Sequence, residues 1–187
     1  MTKDNKQTAN KSTPIHIQTA NFVMKTLDQD AAPILLDWFK LPEILDTLNL
    51  PHISFTASQV GQFIASFNNQ TSYLIGITDK KSGSLIGFYV IRSNPQHRAG
   101  HIIVCIANKD FRGKNILAEA TLAVRDEMFI HRNIDKLSAH VLESNRAALF
   151  NLIGSPDFIY EGALQKEHLD KNDNRLDVLV FSAIKPT

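Results

Sequence analysis

Cysteine occurs only once in this chain, at Cys105, so an internal disulfide is excluded. That fits a reducing compartment, and a cytoplasmic location is the expectation. No apolar run approaches the ~20 residues a membrane-spanning helix needs. Charge of one sign is also missing: 20 Lys and Arg face 19 Asp and Glu, a formal net charge of +1. Neither nucleic acid nor a membrane surface therefore has a bulk electrostatic case as a partner, which leaves only local basic patches. There is no internal repeat, and no linker interrupts residues 15–187. No residue is assigned to a metal. Met1 to Pro14 is polar and lacks the apolar segment of a secretory signal, so it reads as a solvated tail ahead of one domain over 15–187.

Apolar residues make up 43% of the 187-residue chain, enough for one domain with a proper core. The stretch His101 to Met128 organises it. An Ile/Val-rich run, His101 to Ala107, reads as a strand buried on both faces. A basic, Gly-containing break follows from Asn108 to Asn115. Then Leu117, Ala120, Val124 and Met128 recur at helical spacing while Glu119 and Asp126 share the opposite side, predicting a helix from Ile116 to about Phe129. A strand, a basic turn and a helix start present unpaired N–H groups and partial positive charge, an arrangement suited to a phosphate.

Upstream, Phe22 to Leu27 reads as the first strand. Asp28 or Asp30 is placed to cap a helix carrying Leu35, Leu36, Trp38 and Phe39. Pro42 to Leu48 suits a second helix, with proline in its first turn, and Ser58 to Phe67 a third. Ser72–Thr78 and Ser84–Arg92 form a hairpin about a polar turn ending in Gly83. Downstream, Lys136 to Leu142 alternates as a strand, Arg146 to Ile153 is a short helix, and strands at Phe158–Gln165 and Leu176–Ile184 flank the turn His168–Asn174. This order predicts an α+β domain, a mixed and mostly antiparallel sheet of about seven strands flanked by helices. Strand His101–Ala107, its helix and strand Lys136–Leu142 form a βαβ unit, with those two strands parallel and ligands expected at their carboxyl ends.

Four stretches together resemble the GNAT acyl-CoA N-acyltransferases, and within them the branch that acetylates ribosomal-protein N-termini, over about Thr19 to Ile184. They are Asn21–Leu27 with Trp38 and Leu41-Pro-Glu43, the turn Phe111-Arg-Gly-Lys-Asn-Ile-Leu117, Asn145 after the fifth strand, and Phe158-Ile-Tyr-Glu-Gly162. The resemblance implies acetyl-CoA as co-substrate and a primary amine as acceptor, a protein N-terminus or a small molecule, in a monomer or homodimer. It implies that Arg112, Gly113, Lys114, Asn115, Ile116 and Leu117 hold the diphosphate. Backbone groups of Cys105, Ile106 and Ala107 would lie along the thioester, and Asn145 would touch the pantetheine. Asn115 stands where the family usually has its second glycine, and Leu117 where Gly or Ala is usual. Ala148 takes the place of a frequent Ser, and Leu152 that of a tyrosine that protonates the leaving thiolate in many relatives.

In such a reaction the amine attacks the thioester directly. His101 is the candidate base, acting through water, and Tyr160 a candidate acid. A backbone N–H near the end of the strand His101–Ala107 is the candidate oxyanion donor. No Glu stands on that strand, which favours an acceptor of low pKa such as an N-terminus. Asn145 is also a good helix N-cap whatever else it does. Cys105 reads as a small core residue rather than a nucleophile. The four departures carry the alternative hypothesis, a catalytically degenerate member that binds acyl-CoA or regulates.

Overall fold

In the computed structural model, which describes residues 13–48, 50–112, 116–170 and 172–186, eight strands form one sheet. They are β1 (His16–Gln18), β2 (Phe22–Thr26), β3 (Ser72–Asp79), β4 (Leu85–Asn94), β5 (Ala99–Ile106), β6 (Lys136–Leu142), β7 (Ile159–Leu169) and β8 (Arg175–Ile184). Their order is β1-β2-β3-β4-β5-β6-β8-β7, antiparallel at every step except the parallel pair β5–β6. The eighth strand is β1. It is three residues long and carries His16 and Gln18, so its apolar pattern is too short to register as a strand in the sequence. Most of the predicted tail, residues 1–12, lies outside the described residues.

Alternation along the strands divides the core in two. On one face, Tyr73, Ile75, Tyr89, Ile91, Ile102, Leu137 and Phe181 pack under Ala120, Val124, Met128 and Leu149 of the helices that follow β5 and β6. On the other, Leu74, Phe88, Val90 and Cys105 pack under Leu35, Phe39, Ile44, Leu45, Val60 and Ile64. These come from α1 (Ala32–Trp38), α2 (Pro42–Leu48) and α3 (Ala57–Ala65). Asp28 caps the 3₁₀ turn leading into α1 by accepting from Asp30 N. Thr56 and Gln59 form a reciprocal capping box at α3. The central strand β5 is thus covered on both faces, as its unbroken apolar run requires.

The predicted long helix is interrupted. Leu117–Thr121 forms a π turn before α4 (Leu122–His131), and within it Thr121 Oγ1 meets the fully buried Tyr89 hydroxyl at 3.1 Å. An added residue per turn leaves the apolar spacing nearly intact, so periodicity alone does not reveal it. The short helix α5 has the expected bounds, Arg146–Ile153. β7 runs four residues beyond its expected end. Its register slips between Leu164 and His168, around Lys166 at φ 55°, and pairing with β8 then resumes.

Candidate active site

The parallel strands β5 and β6 pair only at Ala99–Lys136, Gly100–Leu137 and His101–Ser138. Beyond His101 they part. β5 continues to Ile106 with register partners on β4 alone, and β6 continues to Leu142 with partners on β8. A cleft opens there, walled on one side by the backbone of Ile102 to Ile106. A strand edge without a partner offers N–H and C=O groups to an extended ligand.

Gly87 lets the other side of β5 close up, because a Cβ there would stand 2.3 Å from the Cys105 carbonyl oxygen. The next carbonyl along β4, Ile86 O, accepts from both Ala107 N and Asn108 N at 3.0 Å, which ends the strand. Asn108 then caps the turn Lys109–Phe111 by accepting from Asp110 N. Arg112 Nε donates to Ile106 O at 3.0 Å, and its Nη2 lies 3.4 Å from Glu43 Oε1 on α2, which Lys109 Nζ approaches to 3.7 Å. A backbone hydrogen bond, together with the two cations, holds the Glu43 carboxyl below its ordinary range. The guanidinium of Arg112 is therefore anchored at the end of β5. Gly113, Lys114 and Asn115, with the side chain of Leu117, lie outside the described residues. Ile116 is buried.

His101 sits at the vertex of the cleft. Ile102 points into the α4 side of the core, so His101 lies on the opposite face, and Ser138 and His140 of β6 share that face because Leu137, Ala139 and Val141 do not. The His101 and His140 rings meet edge to face, with centroids 4.6 Å apart. His101 Nε2 is buried without a hydrogen-bond partner. Burial first, and His140 second, push the His101 imidazole down to about 4, so it is neutral near pH 7. His140 carried no signal in the sequence beyond its place in an alternating strand; only the register shows that it faces His101.

The other expected residues fall in three places. Cys105 is 2% exposed and its thiol is pushed up to about 12 by burial, which matches a core role and not a nucleophile. Asn145 follows the end of β6 and caps α5 by accepting from Ala148 N at 3.2 Å. Tyr160 does not join His101. It lies on β7 against Phe181, with ring centroids 5.4 Å apart, on the α4 side of the sheet, and β8 and β6 stand between them.

A mixed sheet that splays at one parallel pair, with an arginine-bearing turn leading to a helix from the splayed strand, defines a class of acyltransferase. Residues 22–149, more than half the chain, match the acetyltransferase (GNAT) domain model, and the chain belongs to that family. Solved structures share the fold at low identity. RimL, a ribosomal L7/L12 alpha-N-protein acetyltransferase in complex with coenzyme A, superposes with a TM-score of 0.80 at 14% identity, over 91% of this chain and 98% of that one. The ribosomal-protein-S5-alanine acetyltransferase from Vibrio fischeri gives 0.77 at 18%, over 91% and 97%. Spermidine N-acetyltransferase from Vibrio cholerae, in complex with coenzyme A and spermine, gives 0.76 at 18%, over 89% and 97%. No curated protein matches the chain. No described helix is long and apolar enough to cross a membrane.

Proposed function

We propose that this chain transfers the acetyl group of acetyl-CoA to a primary amine, a protein N-terminus or a small-molecule amine, by direct attack on the thioester. The observation that carries the reading is the parting of β5 from β6 after His101, with Arg112 anchored where β5 ends. The free edge of Ile102–Ile106 suits the amide-bearing arm of coenzyme A, and the Arg112 guanidinium suits its diphosphate. A backbone N–H of the same edge would stabilise the oxyanion. His101 is the neutral proton acceptor at the vertex, and Asn145 contacts the arm while it caps α5. Leaving-thiolate protonation falls to solvent, because Tyr160 lies across the sheet.

An N-terminal amine of pKa ~8 is already about one-tenth neutral at pH ~7, whereas a lysine near ~10.4 is neutral once in a few thousand molecules. A weak base such as His101 suits the first and not the second. The expectation is a rise in melting temperature with acetyl-CoA, and thiol release with peptides bearing free N-termini or with small amines of similar pKa. A melting temperature indifferent to acetyl-CoA overturns the reading. A protein stabilised by acetyl-CoA that releases no thiol with any amine replaces it with a binding module. A pH–rate profile rising only above about pH 9 would point to a lysine acceptor.

A further inference from the structure

His140 has no part in the reaction as described above, yet it touches the half-buried His101 imidazole at the cleft vertex. Resting on the acetyl-transfer reading, we propose that His101 and His140 form a two-ring proton relay, in which His101 takes the proton of the incoming ammonium and His140 passes it to solvent. His140 is a positioning and relay residue that acts through His101.

The stoichiometry calls for one such exit. An ammonium and acetyl-CoA yield an amide, free coenzyme A and one proton. The first N–H bond to break releases that proton before attack. A second N–H breaks as the tetrahedral intermediate collapses, and solvent carries its proton to the departing sulfur. Only the first must leave the cleft.

His101 is poorly suited to store it. The ring is largely desolvated, Nε2 has no partner, and a second ring lies against it. An imidazole that cannot hold a positive charge still conducts, by accepting on one nitrogen while releasing from the other. It then needs an acceptor beside it that reaches water. His140 is exposed and touches His101 edge to face without a hydrogen bond between the rings, so one bridging water completes the path. Few other groups compete for that role. On β6, Lys136 shares the face but is paired with Glu161 of β7 at 2.7 Å. On β8, the register neighbours of His140 and Ser138 are Val180 and Ser182, which do not titrate. On β4, Arg92 lies opposite His101 in register, and its guanidinium sits over the Phe67 ring.

The test compares the wild-type protein, His140→Phe and His140→Gln by thiol release across pH 6–9, with and without added imidazole, alongside NMR titration of the labelled histidine rings. Expected are a fall in kcat of up to about tenfold near pH 7 for both variants, narrowing as pH rises towards 9, an unchanged KM for acetyl-CoA, and partial rescue by imidazole, which reaches the exposed site. His101 should titrate at higher pH in His140→Phe, whose ring removes the neighbouring positive charge. Variants with wild-type kcat, or with losses that imidazole leaves untouched, overturn the relay while acetyl transfer stands. A wild-type protein that releases no thiol with any amine overturns acetyl transfer, and the relay falls with it.

Discussion

The catalytic value proposed for a neutral imidazole at the vertex of the cleft is set by its partner's pKa. If His101 deprotonates an amine of pKa ~8, its removal leaves only the fraction already neutral, about one-tenth at pH ~7. His101→Ala should then lower kcat/KM about tenfold near pH 7, and the gap should close by about pH 9, where the amine no longer needs a base. A pH–rate profile of both proteins reads this directly; a constant gap across pH would assign His101 to packing. Asn145 separates two roles in the same manner. Its side chain accepts from Ala148 N at the start of α5, so Asn145→Ala should lose about 1 kcal/mol of unfolding free energy. Asn145→Asp keeps the cap but replaces the amide donor with a carboxylate. It should therefore fold with near wild-type stability and raise KM for acetyl-CoA, as separate denaturant and kinetic measurements would show.

At the scale of elements, the cleft exists because β5 is held firmly on one side only. Gly87 makes that grip possible. A methyl group added there would collide with the Cys105 carbonyl oxygen, a backbone atom inside a sheet, and no flexible side chain is available to yield. Gly87→Ala should lose about 1–3 kcal/mol or more of stability, measured by urea unfolding, and should weaken acetyl-CoA binding by displacing the edge that lines the cleft. Much at this scale was legible in advance. β6 and α5 have the bounds that alternation and Asn145 implied, and the one parallel pair follows from the βαβ order. The three-residue extent of that pair was not legible, since an apolar strand carries no mark of where its partner leaves it. The π turn was hidden by a periodicity it barely disturbs. The contact of His101 with His140 depends on register between strands separated by a helix, which neither segment encodes alone. The turn expected to hold the diphosphate was legible only in company with the other three stretches, and its residues 113–115 lie outside the described ones.

Across the whole molecule, the sheet is two blocks, β1–β5 and β6–β8–β7, joined through three residue pairs at the β5–β6 seam. The core beneath α4 spans both blocks, with Ile102 on one side of the seam and Leu137 and Phe181 on the other. His101 belongs to the last pair of the seam, so its charge state bears on the joint as well as on the proposed chemistry. Its imidazole is held down to about 4 by burial and then by His140, against 6.5 for an ordinary histidine. The unfolded chain therefore binds this proton at higher pH than the folded one. Its contribution vanishes above about pH 6.5 and destabilises the fold progressively as pH falls from there towards 4. A displacement of that size sets an upper bound of ~3 kcal/mol, and solvent at the part-exposed ring reduces the expectation to about 1–2 kcal/mol. Urea unfolding at pH 7, 5.5 and 4.5 should show the wild-type protein losing stability faster than His101→Gln, a neutral side chain at the same register position. The two curves should differ only below about pH 6.5. Parallel curves would mean that the folded seam accepts a charged His101 as readily as water does.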